Sequence, residues 1–258
     1  MIGIVGGVGP YAGIDLLDNI YGNTLAGTDQ DYINSLLFSL SSKIQDRTQY
    51  LLGSVAENPG YSIGKIVLTL EKSGATVVGI PCNTAHSESI FSVIQNELKQ
   101  NGSKVKLLHM IDETVIFITT HFSHFRRIGV LSTTGTYKYR LYRNALEAFG
   151  YETIEPTQQM QEEIVHPAIY HPAYGIKSTT RPFHPKARQN LELAMEYLKE
   201  QGAEAAVLGC TEIPLVIKSE MFNGLTIINP TKVLARALIH QVDAGKLKPF
   251  SMPRLKTK

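Results

Sequence analysis

Short apolar runs and one-sided helical stripes alternate along this chain, and their order occurs twice. Ile2-Gly3-Ile4-Val5 and Ile128-Gly129-Val130-Leu131 are small, β-branched runs without the polar alternation of a half-exposed strand. Runs of that kind are buried on both faces and belong to parallel sheets. A turn follows each, Gly6-Gly7-Val8-Gly9-Pro10 in the first half and Ser132-Thr133-Thr134-Gly135-Thr136 in the second. Later in each half comes a helical stripe, Ile63, Ile66, Val67 and Leu70 or Leu191, Met195 and Leu198. Each stripe stops at a glycine suited to a helix C-terminus, Gly74 or Gly202. A further buried run follows at once, Ala75 to Ile80 and Ala203 to Leu208. The pattern predicts an α/β protein of two pseudo-symmetric domains, each a mainly parallel sheet flanked by helices.

Between these landmarks, Pro10 to about Thr24 reads as a helix with Ile14, Leu17 and Tyr21 on its apolar side, and Leu36 to Leu40 as a strand. Ser41 to Thr48 then lies at that strand's carboxyl end, which puts Arg47 on the rim where an anion would bind. Tyr142 to Phe149 closes a helix at Gly150, and a helix from about Asp112 carries His121 and His124 near its C-terminus. Pro156 to Pro185 holds five prolines, three histidines (His166, His171, His184) and Lys177, and reads as a long irregular loop walling or covering a site. The tail from Ile227 through a helix at Thr231 to Gln241 is expected to cross back onto the first domain. The expected domains are residues 1–104 with 225–258, and 105–224.

Composition narrows the class. A chain of 258 residues with 43% hydrophobic content has material for two cores, and a net charge of +2 points to no polyanionic partner, so no nucleic acid is expected. No apolar window approaches a membrane span, and the N-terminus shows neither a charged n-region nor a cleavage site, so a cytoplasmic protein is expected. In a reducing compartment two cysteines are thiols rather than a bridge.

Those two cysteines carry the candidate chemistry. Cys82 and Cys210 each lie eight residues past a glycine, Gly74 and Gly202, at the end of a buried strand. Ligands of open α/β sheets collect at the carboxyl ends of strands, so matched thiols there suggest one site with a thiol from each side. Two opposed thiols suit proton transfer at a carbon beside a carboxylate, one removing a proton from one face and the other returning one to the opposite face. A free thiol titrates near about 8.5, and a helix N-terminus after the cysteine would lower that value. Asn83-Thr84 and Thr211-Glu212 are residue types that begin helices, and their backbone N–H groups suit a carboxylate. Other readings stay open: inert buried thiols, a zinc site joining Cys82, His86 and Cys210, or a Cys82–His86 nucleophile and base. Thr84, Thr136 and Thr211 are equally suited to plain helix capping, and Glu212 either caps its helix or sets the charge state of Cys210. The turn Gly7-Val8-Gly9 lacks a dinucleotide fingerprint, because Gly13 falls one residue too far along.

Gly7-Val8-Gly9-Pro10, Asp46-Arg47-Thr48, Pro81-Cys82-Asn83-Thr84-Ala85-His86, Thr134-Gly135-Thr136 and Gly209-Cys210-Thr211-Glu212-Ile213-Pro214 together resemble the cofactor-independent aspartate/glutamate racemases, nearest the aspartate branch. The resemblance runs from residue 3 to about 230. It implies a site between two α/β domains, with Cys82 and Cys210 as paired acid and base and no pyridoxal phosphate or metal. It further implies that Arg47 and, more loosely, Lys177 hold substrate carboxylates. Gly7, Gly9, Asn83, Thr84, Thr134, Thr136 and Thr211 would line the substrate, with His86 and Glu212 supporting. A small amino-acid substrate and a homodimer are the family expectation. Val8 and Gln45 depart from the usual methionine and proline. Glu212, where glutamate racemases carry histidine, favours the aspartate side. Alternatives on the same scaffold are a broad-specificity racemase, a maleate isomerase-like enzyme using one cysteine as nucleophile, or a dicarboxylate-binding protein without turnover.

Overall fold

Strand β1 (Ile2–Gly6) is buried along its whole length in the computed structural model, which describes residues 1–179 and 181–252. Across a four-stranded parallel sheet the order is β2 (Ser35–Ser39), β1, β3 (Val77–Gly79) and β4 (Lys106–Leu107). Alternation along the central strands feeds two cores. Ile2, Ile4 and Val77 meet Leu16 and Ile20 of α1 (Pro10–Asn23), together with Leu234, Leu238 and Ile239 of the C-terminal helix Pro230–Asp243. On the other face Val5 and Val78 meet Leu51 of α2 (Arg47–Leu51), the stripe Ile63, Ile66, Val67 and Leu70 of α3 (Pro59–Lys72), and Ile90, Ile94 and Leu98 of α4 (Glu88–Gln100). Each such aliphatic side chain contributes about 1.5–3 kcal/mol when fully buried, so covering both faces is what makes these continuous apolar strands viable.

One helix face differs from the sequence expectation. Ile14 and Tyr21 are 48% and 40% exposed, and the buried face of α1 is instead Ala12, Gly13, Leu16 and Ile20. Small residues decide this. A Cβ on Gly13 would stand 2.9 Å from Leu37 and 3.3 Å from the backbone of Gly6, so the helix lies closer to the sheet on that side than a larger residue permits.

The chain divides into two units. The first holds Met1–Thr114 and Thr231–Pro249, and the second holds Val115–Pro230 with the described end of the chain from Phe250. Helix α5 (Met110–His121) contains the division. In the second unit β5 (Arg127–Ser132) is flanked by β6 (Glu152–Ile154) and β7 (Ala205–Gly209). The hairpin β8 (Met221–Phe222) and β9 (Leu225–Ile228) completes the sheet in the order β6-β5-β7-β9-β8. Leu225–Ile228, assigned from sequence to the returning tail, pairs in parallel with β7, because this β-branched run is buried throughout and completes the sheet. Apart from β8, the two sheets share one plan, with the glycine-bearing strand second and the strand leading to cysteine third.

The helices of the second unit are α6 (Thr134–Lys138), α7 (Leu141–Glu147), α8 (Gln158–Met160), α9 (His166–Tyr170), α10 (Pro185–Glu200) and α11 (Ile213–Val216). Helices α3 and α10 end alike. Gly74 (φ +100°) donates to Glu71 and Ala75 to Leu70; Gly202 (φ +85°) donates to Lys199 and Ala203 to Leu198. This paired closure satisfies the last carbonyls and turns the chain into the cysteine strand. The stretch from Pro156 is only in part the irregular loop its prolines suggested, for residues 171–179 form turns outside any helix or strand. Residues 158–170 are helical, with a π-turn at Gln161–Val165 between α8 and α9. Pro167 sits in the first turn of α9, where its missing N–H costs little. No helix among the described residues is long and apolar enough to cross a membrane.

Candidate active site

β3 ends at Gly79, and three residues later Cys82 stands extended at the head of a 3-10 turn, Asn83–His86. Its side chain belongs to the buried core and is 6% exposed. The Cys82 carbonyl accepts from the Ala85 N–H at 3.2 Å and from His86 Nδ1 at 2.9 Å. A carbonyl only accepts, so Nδ1 carries the ring proton. Burial, reinforced by neighbouring His109, pushes the His86 pKa down to about 3, so the ring is neutral. It stacks on Phe91 at 5.2 Å between centroids, and its own carbonyl accepts from His109 Nε2 at 3.2 Å. His109 Nδ1 in turn lies 3.1 Å from Asp112 Oδ1. His86 therefore grips the backbone of the Cys82 turn, which is not the sulfur contact a nucleophile–base pair requires.

The glycine turn and the Asp46-Arg47-Thr48 segment are locked together. Gly7 and Gly9 have φ of +84° and +139°. Arg47, the first residue of α2, is buried, and its guanidinium donates to the carbonyls of Gln45 at 3.0 Å and Val8 at 2.7 Å. Asp46 caps α2 by accepting from the Gln49 N–H at 2.8 Å. Arg47 follows β2, where the sequence placed it, and part of its donor set reaches across to brace the turn at the end of β1. Asn83 and Thr84 are buried beside Cys82.

In the second unit Cys210 follows β7 and is 3% exposed. Its thiol donates to Glu212 Oε2 at 3.1 Å, the Thr211 hydroxyl donates to the same oxygen at 3.3 Å, and Lys177 Nζ lies 2.5 Å from Glu212 Oε1. Burial first, then the Glu212 charge, pushes the Cys210 thiol well above its ordinary range, and Lys177 partly opposes this. The expectation that a following helix lowers this thiol is thereby overturned. Helix α11 has four residues and presents a short dipole, while a full carboxylate charge touches the sulfur. Glu212 makes no side-chain cap bond to α11, so of its two expected roles the structure shows contact with the thiol. Lys177 and Glu212 are 35 residues apart, and no local pattern in the sequence pairs them.

The turn after β5 is a hydroxyl cluster. Thr133 is its cap, accepting from the Thr136 N–H at 3.3 Å and donating to the Thr136 hydroxyl at 3.1 Å. Thr134 Oγ1 lies 2.8 Å from His166 Nδ1, and Gln161 Nε2 donates to the Ser132 carbonyl at 3.2 Å. Thr133, Gln161 and His166 were not singled out from sequence as site residues. The π-turn, which starts at Gln161, and α9, which starts at His166, bring the last two to the end of β5. Among the described residues no group of three or more His, Cys, Asp or Glu side chains is placed to hold a metal ion.

Residues 5–238 match the family model for Asp/Glu/hydantoin racemases. Among curated proteins, the broad specificity amino-acid racemase RacX of Bacillus subtilis is 26% identical over 248 residues, covering 93% of this chain and 96% of RacX. Among solved structures, Picrophilus torridus aspartate racemase aligns with a TM-score of 0.76 at 29% identity, covering 96% of this chain and 95% of its own. An aspartate racemase homologue from Pyrococcus horikoshii shares the fold, with a TM-score of 0.65 at 21% identity over 93% of this chain and 97% of its own.

Proposed function

The chain belongs to the Asp/Glu/hydantoin racemase family, and from that premise we propose that it inverts the α-carbon of an acidic amino acid, aspartate foremost, by proton transfer between Cys82 and Cys210. The observation that carries this reading is the duplicated frame: two buried thiols, each just past the third strand of one of two sheets built alike. The similarity to Picrophilus torridus aspartate racemase along 96% of the chain supports aspartate.

The chemistry follows from the contacts. Cys210, kept protonated by burial and by Glu212, is the acid at rest. Cys82, as thiolate, removes the α-proton from one face while Cys210 delivers its own to the other. For the mirror-image substrate Cys210 must act as base and Cys82 as acid: Cys82 takes up a proton from solvent, the Cys210 proton passes to Glu212 Oε2, which already accepts it at 3.1 Å, and Glu212 releases it to solvent as the cycle closes. Lys177 stabilises the Glu212 charge at rest and, with Arg47, neutralises substrate carboxylates as the α-carboxylate takes up charge. Asn83, Thr84 and Thr211 offer backbone N–H groups, Thr134 and Thr136 offer hydroxyls, and Gly7 and Gly9 permit close approach. None of these steps calls for pyridoxal phosphate or a metal.

A broad-specificity racemase is the second reading. It is favoured by the RacX similarity and by the pairing of Lys177 with Glu212, which leaves the side-chain carboxylate less dependent on this cation. Incubation of the purified protein with single enantiomers of several amino acids in deuterated water, without added cofactor, tests both. Deuterated mirror-image product from aspartate and glutamate alone supports the first, and product from neutral amino acids as well supports the second. Absence of α-deuteration with every substrate refutes both. A maleate isomerase-like reaction predicts instead that only one of Cys82→Ala and Cys210→Ala abolishes turnover.

A further inference from the structure

We propose that the side-chain carbonyl of Gln161 receives the α-ammonium group of the substrate, and so makes the site select amino acids over dicarboxylates that lack nitrogen. This rests on the racemase reading and adds a residue to it.

Gln161 is 1% exposed, and its amide cannot be turned round. Nε2 donates to the Ser132 carbonyl at 3.2 Å and approaches Thr134 Oγ1 at 3.5 Å, and the carbonyl partner accepts only. Oε1 is therefore fixed about 2.3 Å from Nε2 by amide geometry. It has no hydrogen-bond partner among the described residues. Protein interiors rarely leave a buried acceptor unmet, and where one persists a ligand or ordered water is the usual explanation.

Its location favours a ligand. Ser132 ends β5 and Thr134 opens the turn after it, the counterpart in the second sheet of the glycine turn after β1. The helix is also distorted at this point. The π-turn Gln161–Val165 begins at this residue, and buried Asn190 reaches the Ile164 carbonyl at 3.4 Å. Such turns recur where a helix must aim a functional side chain. Thr134 lies 2.8 Å from His166 Nδ1 and so has a partner other than Oε1.

The chemistry of the orphan atom selects its partner. A neutral carbonyl oxygen attracts a donor and offers nothing to a carboxylate. An ammonium group consists of donors alone. A neutral acceptor also suits this reaction, because it favours the protonated amine without adding negative charge beside a forming carbanion, and the retained ammonium charge helps acidify the α-carbon.

The test is calorimetric titration of the full-length protein with L-aspartate, L-malate and succinate. Wild type is expected to bind aspartate at least about tenfold more tightly than the other two. Gln161→Met, similar in length without the amide, is expected to weaken aspartate about tenfold to a hundredfold, with succinate unchanged within about threefold. Equal wild-type affinity for the three ligands overturns the proposal. So does a Gln161→Met protein that weakens all three alike, the result expected if the amide serves only the scaffold or a buried water. Should that variant fail to fold, Gln161→Asn, whose shorter side chain withdraws the amide oxygen by one methylene, is titrated instead, with the same selective loss for aspartate expected and an equal loss for all three ligands overturning the proposal. α-Deuterium exchange by wild type, measured alongside, separates the two claims. Absence of exchange refutes the racemase reading, whereas exchange with ligand preference unaltered in the variant refutes only the role of Gln161.

Discussion

The Cys210–Glu212–Lys177 contacts give the second thiol a charge state that two substitutions should move in opposite directions. Glu212→Gln removes the nearest negative charge, so the Cys210 pKa should fall from its raised position toward the ordinary thiol range. Lys177→Met removes the opposing cation and should raise it further. The pH midpoint for alkylation of Cys210, followed by mass spectrometry, reads both, and coincident midpoints would show that the pairing does not control the thiol. Loss of an assisting acid–base group costs about 10²–10⁴-fold in rate, and Glu212→Gln should show a loss of that order for the enantiomer that needs Cys210 as base. His86 makes a second, independent prediction. Its pKa is about 3 in the fold and about 6.5 in the unfolded chain, so the unfolded state alone binds the proton between those values. Stability present above about 6.5 is therefore lost as pH falls toward 3, by an amount on the order of several kcal/mol. Urea unfolding at stepped pH should show this slope, and His86→Leu should flatten it while weakening the protein at neutral pH through loss of the bond to the Cys82 carbonyl.

The turns and helix faces differ in what they tolerate. Gly7 has a left-handed φ, and a Cβ there would lie 2.6 Å from the Ser41 backbone nitrogen, so Gly7→Ala should destabilise by about 2 kcal/mol or more and open the turn that Arg47 braces. Gly22 lies inside α1, and a Cβ there would meet no atom within 4 Å, so Gly22→Ala should stabilise by about 0.5–1 kcal/mol. Denaturant midpoints of the two variants should move in opposite directions. The same contrast explains what the sequence disclosed. Strands β1, β3, β5 and β7 and the stripes of α3 and α10 are apolar without interruption or with clear period, and all were legible. The face of α1 was not, because Ala12 and Gly13 set the closest approach while Ile14 and Tyr21 dominate any count of hydrophobicity. The helical character of residues 158–170 was hidden by Pro156, Pro167 and Pro172, although Pro167 occupies a first-turn position that costs the helix little.

Across the molecule, the repeated glycine-to-cysteine frame made both thiols legible, since a duplicated fold places the same residue at the same strand end twice. Arg47 was legible from its place after the second strand and from the Asp46-Arg47-Thr48 motif, whereas its bond to the Val8 carbonyl, 39 residues away, has no local signature. Glu212 with Lys177, and Gln161 with Ser132, come together only through long connections, so no spacing announces them. The two thiols belong to different units, and the proposed reaction requires them to address opposite faces of one α-carbon. Isotope distribution reads that requirement. Starting from a single aspartate enantiomer in deuterated water at low conversion, two-base transfer predicts deuterium in the mirror-image product and none in the recovered starting enantiomer. Deuterium entering the recovered starting enantiomer as fast as the product forms would show one base serving both faces and would contradict paired action by Cys82 and Cys210.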